Sequence, residues 1–124
     1  MIKIKIYELD KHRNECTFRP FLQSHDLFKE IGIEFITHGS ADFAFVGHAS
    51  FVNKKVSLEE STKFGLDFLL NIKEPYFLFD GQDAATLIGS YEVFKESNAL
   101  NMFKICMYKT RKDYLNGYVN GRSY

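Results

Sequence analysis

An open, mainly parallel α/β sheet flanked by helices is the fold class this sequence predicts, and three observations predict it. Short runs of alternating or continuous apolar residues recur along the chain at strand length. Segments with helical spacing and helix-end signals lie between them. The alternation of the two is the pattern of strands joined by crossovers, which is how a doubly wound, Rossmann-like sheet is built. At 124 residues the chain fits one domain with room for a real core.

The first strand is expected over 2–7, "IKIKIY", where lysine and isoleucine alternate with period two. That alternation calls for a strand near an edge or with one incompletely covered face. In "RPFLQSHDLFKEIGIEFIT", Pro20 suits the first turn of a helix, and Phe21, Leu27, Phe28 and Ile31 recur at helical spacing. Gly32 is a helix stop of the C-terminal glycine type, and "IEFIT", 33–37, is β-branched and aromatic as strands prefer. A turn at His38-Gly39-Ser40 leads to a third strand, "ADFAFVG", 41–47. Ser57 with Glu60 three residues on reads as a capping box, opening a helix with Leu58, Leu66, Leu69 and Leu70 on its inner face. Gly65 is a mild local cost within it, and Pro75 ends it. "YFLF", 76–79, is a buried strand, Asp80-Gly81 a turn, and Asp83 an N-cap for a helix from Ala84. Beyond Tyr91 the pattern allows one long helix, or a helix broken at Ser97-Asn98, a strand over Leu100–Ile105 and a further helix over Thr110–Leu115; the break favours the second. Two Asn-Gly pairs near the end are turn signals.

Composition narrows function mainly by exclusion. Sixteen basic and sixteen acidic residues cancel, whereas a dedicated nucleic-acid binder is visibly basic. No apolar run reaches the ~20 residues a membrane span needs, and the alternating N-terminus lacks the apolar core of a secretory signal. A cytoplasmic location is the default expectation. Cys16 and Cys106 have no metal-ligand spacing and are expected to be reduced. Neither a P-loop nor a dinucleotide-binding glycine pattern is present, so no cofactor and no metal is called for. Thirteen phenylalanines and seven tyrosines, among them Phe43, Phe45, Phe64, Phe68, Phe77 and Phe79, supply core packing, with any exposed remainder available for self-association or docking.

In open α/β sheets ligands bind beyond the carboxyl ends of the strands. Three segments should therefore meet on one rim: Thr37-His38-Gly39, Gly47-His48-Ala49-Ser50 and Asp80-Gly81-Gln82-Asp83. The ligand-rim candidates are His48, Ser50, Asp80, Gln82 and Asp83. His48 has the ordinary chemistry of an acid or base near neutral pH, and the two aspartates could accept from sugar hydroxyls. The competing reading makes His48 structural, places Asp80 in the turn and gives Asp83 to the helix cap. Arg13 and Arg19, with His12, form a candidate anion-binding cluster around the first connection.

Three phrases carry a family resemblance across most of the chain: "SLEES…GLDFL", "YFLFDGQDAATLIGSYEVFKESNA" and "MYKTRKDYLNGYVNGR". Together they resemble the N-terminal portion of GT-B type glycosyltransferases of marine bacteria and phage. The resemblance implies an acceptor-side domain that meets a sugar or glycan acceptor, is a fragment of a larger two-domain protein, lacks the C-terminal donor-binding domain and is inactive in isolation. This chain departs from that family in its lysine-rich first strand, "IKIKIYELD", where an apolar strand and a glycine-rich loop are usual. It is also shorter than a usual first domain of that type. No catalytic motif is matched, so no catalytic role passes to any residue. The rival expectation is a receiver-like or adaptor α/β module without enzymatic activity. A receiver needs an acidic cluster and a lysine at a later strand end; Asp80 is present, with Glu8 and Asp10 as weak partners. A small enzyme built on His48 and an aspartate is a third expectation.

Overall fold

The computed structural model describes residues 1–82 and 88–104. Five strands, β1 (Ile2–Ile6), β2 (Ile33–Ile36), β3 (Phe43–Gly47), β4 (Tyr76–Asp80) and β5 (Asn101–Lys104), form one sheet in the order β2-β1-β3-β4-β5. Every pairing is parallel. Helices α1 (His12–Gln23), α2 (His25–Glu30), α3 (Leu58–Leu69) and α4 (Ser90–Glu96) flank it, with a 3-10 turn at His48–Ser50 after β3. The fold is Rossmann-like α/β, as the alternation of strand and helix signals requires.

Side chains from alternate strand positions build two cores, one on each face. On one face Ile4, Ile6, Phe35 and Phe79 pack with Phe18 of α1, joined by the half-buried Phe21, Phe28, Phe43, Phe45 and Phe77. Phe18 is wholly buried, its ring 5.2 Å from Phe79 in an edge-on arrangement, and Phe45 lies 4.5 Å from Phe79. Such offset and edge-on pairs contribute about 0.5–1.5 kcal/mol each beyond simple burial. On the other face Ala44, Val46, Tyr76 and Leu78 meet Phe51, Leu69 of α3 and Val93 of α4.

β1 is an interior strand, so its charged alternation reflects an incompletely covered face. The link from β2 to β3, residues 37–42, carries no helix, and nothing helical is laid over the Lys3 and Lys5 side of β1 by it. Lys3 stays exposed, and the Lys5 ammonium sits 4.9 Å from the centre of the Tyr7 ring.

Several local expectations are corrected by packing. The helix expected to start at Pro20 begins at His12, and Pro20 lies inside it. Proline has no N–H to close the turn and crowds the preceding carbonyl. Two turns of helix before it are nonetheless held because Asn14, Thr17 and Phe18 are buried against the sheet. The helical run then breaks at Ser24, and α2 restarts one residue later with Leu27 and Ile31 exposed. Gly32 takes the left-handed φ of +89° that its helix-stop role requires. In α3 the Ser57 hydroxyl accepts from the Glu60 amide at 3.1 Å, as the capping pattern predicts. Its inner face is narrower than expected: Ser61, Gly65 and Leu69 are buried, Leu66 packs partly, and Leu58, Leu70 and Phe64 are exposed. Asp80 belongs to β4 and not to a turn. α4 and β5, divided at Ser97-Asn98, follow the second reading of the region after Tyr91. The Asp83 cap, the helix start at Ala84, Cys106, the helix over 110–115 and the Asn-Gly turns lie outside the described residues.

Candidate functional site

All five strands run the same way, so their carboxyl ends share one rim, and on it two hydrogen-bonded assemblies stand side by side. The first fills the point between β1 and β3 where the strand order reverses, the usual crevice of such sheets. Asn14, on the first turn of α1 and fully buried, donates from Nδ2 to Ser50 Oγ at 2.9 Å and to the Glu8 carbonyl at 3.2 Å. Its Oδ1 accepts from the Ala49 amide at 3.1 Å. Gly47 makes room for this side chain: a Cβ there would lie 2.7 Å from Asn14 Cγ. Glu8, with φ of +49°, turns the chain out of β1 above it, its carboxylate 3.1 Å from Lys11. The crevice is thus occupied by the protein's own polar side chain, which Ser50 helps to hold.

The second assembly is centred on Asp80, whose side chain is wholly buried. One oxygen, Oδ1, accepts from the Gln82 amide at 2.9 Å and from Lys104 Nζ at 3.2 Å. The other, Oδ2, accepts from Gln82 Nε2 at 3.0 Å and from Ser90 Oγ at 2.5 Å. Lys104 also donates to the Gln82 carbonyl at 3.0 Å, and Gln82 Nε2 to Ser90 Oγ at 3.3 Å. A carboxylate has about four acceptor positions, and here all four are used inside the protein. Asp80 thus ties β4, β5 and α4 together. Among the described residues no group of three or more His, Cys, Asp and Glu side chains could hold a metal ion. Gln82 Oε1 is buried and has no hydrogen-bond partner among the described residues, a deficit that costs about 1–3 kcal/mol.

His48 joins the two assemblies. Its Nδ1 accepts from the Gly81 amide at 3.1 Å, which assigns the ring proton to Nε2. Burial lowers its pKa from 6.5 to about 4; Asp80 opposes the shift, and Arg13, Lys54 and Lys104 add to it. At neutral pH the ring is an uncharged, weak base that fixes the turn after β4. No hydrogen bond joins it to Asp80 among the described residues. Gly81 is needed for close approach too, since a Cβ there would stand 3.2 Å from Thr17 Cβ of α1.

Beside this buried floor opens a cavity of about 380 Å³. Val52, Val56, Leu58 and Ile88 give it apolar walls, and Asn53, Lys54, Ser61 and Gly89 give it polar ones. Its size suits a small organic ligand, and the mixture of aliphatic walls with a few polar groups is what such sites present. Gly89, at φ of +91°, donates its amide to Glu92 at 2.7 Å and precedes Ser90 of the Asp80 assembly.

The structure thus brings His48, Ser50, Asp80 and Gln82 to one rim and buries all four; Asp83 lies outside the described residues. Thr37-His38-Gly39 forms an exposed loop at the β2 edge. Arg13 is exposed at the start of α1, close enough to His48 to influence it, whereas Arg19 is bound to Glu15 at 2.9 Å one helical turn away. Asn14, Ser90 and Lys104 were not singled out by the sequence. A polar Asn in the first turn of a helix, a Ser opening another and a Lys ending a strand are each ordinary surface choices, and only their convergence gives them a role. Compared with protein-family models, curated proteins and solved structures, the chain matches none.

Proposed function

We propose that this chain is the acceptor-side domain of a GT-B-like glycosyltransferase, which holds a saccharide acceptor at the rim cavity and needs a separate donor-binding domain for transfer. One observation carries the reading. The stretch on which the family resemblance chiefly rests, "YFLFDGQDAATLIGSYEVFKESNA", supplies Asp80, Gln82 and Ser90 to the buried floor and Ile88 and Gly89 to the cavity wall. A mixed apolar and polar cavity suits a sugar, which offers C–H faces and hydroxyls together. Titration of the isotope-labelled chain with methyl glycosides, followed by amide NMR, tests it. Shifts confined to the region of Asn53, Lys54 and Gly89, with none on adding a nucleotide-sugar, are the expected result. Silence of those amides with every glycoside up to tens of millimolar overturns it.

A receiver-like module is the second reading, favoured by the lysine at the end of β5 placed against Asp80. The closed shell around Asp80 weighs against it, because a phosphoacceptor and its magnesium need open carboxylate oxygens. Magnesium-dependent shifts around Asp80 would restore it.

A further inference from the structure

We infer that His12 and Cys16 are half of a metal site for a borderline-soft divalent cation such as zinc, completed by the same two residues of a second copy of this chain. Both lie on the exposed face of α1, and neither lines the cavity beside Gly89. The sequence reads without a metal-ligand spacing at Cys16. α1 supplies one, because residues four apart in a helix stand one turn above each other on the same face, the arrangement by which helical metal sites present two ligands.

The distances are those of a chelate. Cys16 Sγ lies 3.6 Å from His12 Nε2. A tetrahedral zinc, about 2.3 Å from a thiolate sulfur and about 2.0 Å from an imidazole nitrogen, holds these two atoms about 3.5 Å apart. The other ring nitrogen, Nδ1, has a Glu15 carboxylate oxygen at 3.8 Å. A carboxylate on that side favours the proton at Nδ1 and leaves Nε2 to coordinate, which is how metal-binding histidines are oriented. Glu15 is itself held by Arg19, which donates to its second oxygen at 2.9 Å. A thiolate with an imidazole selects zinc and its softer neighbours over magnesium and calcium, which want oxygen. As the sulfur–metal bond forms, the thiol proton passes to solvent.

Two ligands do not close a tetrahedral site, and among the described residues no third His, Cys, Asp or Glu makes a metal-holding group with them. The pair stands in the open: the His12 side chain is 80% exposed and Cys16 is exposed. A second copy related by a two-fold axis brings an identical pair to the same ion, giving two cysteines and two histidines, a closed zinc set. The face also suits its own copy in charge, since Glu15 and Arg19 beside the pair carry opposite signs.

The test uses the untagged 124-residue chain, kept reduced, with zinc chloride as the probe. Sedimentation velocity should show a monomer in chelator and a dimer in zinc, with one zinc bound per two chains, and chelator should reverse the change. His12→Ala and Cys16→Ser, both at exposed positions, should stay folded by circular dichroism and need at least about tenfold more zinc to dimerise. Cys106→Ser should behave as wild type. With cobalt in place of zinc, wild type and Cys106→Ser should show the near-ultraviolet absorption of a cobalt-bound thiolate, and Cys16→Ser should not. One zinc per chain on a monomer, a zinc dimer undiminished in His12→Ala or Cys16→Ser, or loss of the dimer in Cys106→Ser overturns the inference. So does an oligomeric state that excess zinc does not change.

Discussion

Asp80 gathers four hydrogen bonds on one buried carboxylate, and that saturation governs its behaviour on substitution. Asp80→Asn keeps the shape but turns one acceptor into a donor facing other donors, and leaves the ammonium of Lys104, whose side chain is 5% exposed, without its counter-charge. Breaking a buried pair from one side costs about 3–5 kcal/mol, so urea unfolding of Asp80→Asn should show a loss of that order. Adding Lys104→Met removes the stranded charge, and the double variant should lose less than the two single variants together. Additive losses would mean that the pair is uncoupled. A turn residue, which is how the sequence reads Asp80, would lose far less. The sequence could not show the difference, because Ser90 and Lys104 lie ten and twenty-four positions further on and nothing local marks them as partners. Gln82, by contrast, was readable as a rim residue from its place just after an apolar strand.

At the level of the element, α3 shows which helix signals are local and which are not. Its start was legible, since Ser57 and the Glu60 amide are three residues apart and the cap needs nothing else. Gly65 was not. Judged by propensity, Gly65→Ala should stabilise a helix by about 1 kcal/mol. In the fold a Cβ at this position would fall on the Phe51 carbonyl oxygen and 2.8 Å from Val93 Cγ2 of α4. Gly65→Ala is therefore expected to destabilise by about 1–3 kcal/mol, the usual cost of overpacking, read as a lower urea midpoint with unchanged helical circular dichroism. A rise in midpoint would show that α3 can draw back from α4 without loss. The same rule explains Leu58 and Leu70: helical spacing marked them as inward, but α3 meets the sheet and α4 through a narrow face, and both leucines lie outside it.

For the whole molecule, the pH dependence of stability carries the mark of His48. Its pKa is about 4 in the fold against 6.5 for an unperturbed histidine. The lowered value means that the unfolded chain takes up a proton between these limits while the native state does not. The contribution is complete above about pH 6.5, shrinks as pH falls toward 4 and changes no further below, amounting to about 3 kcal/mol. His48→Gln keeps an acceptor for the Gly81 amide and removes the titration. Urea unfolding of both forms at pH 7 and pH 4.5 should show the wild type losing more stability on acidification than the variant; equal losses would show His48 free to ionise in the native state. What the sequence determined by itself was whatever depends on neighbours along the chain. That covers the alternation of strand and helix, the parallel α/β class, the Ser57 cap, the Gly32 stop, the break at Ser97-Asn98 and the rim on which strand ends collect. Only the tertiary structure decided what the rim residues do. It closed the crevice between β1 and β3 with Asn14, closed Asp80 with Ser90 and Lys104, and left the cavity beside Gly89 open. The physical reason is range: helix caps and strand alternation are satisfied within a few residues, whereas a buried polar group must find partners wherever the fold brings them.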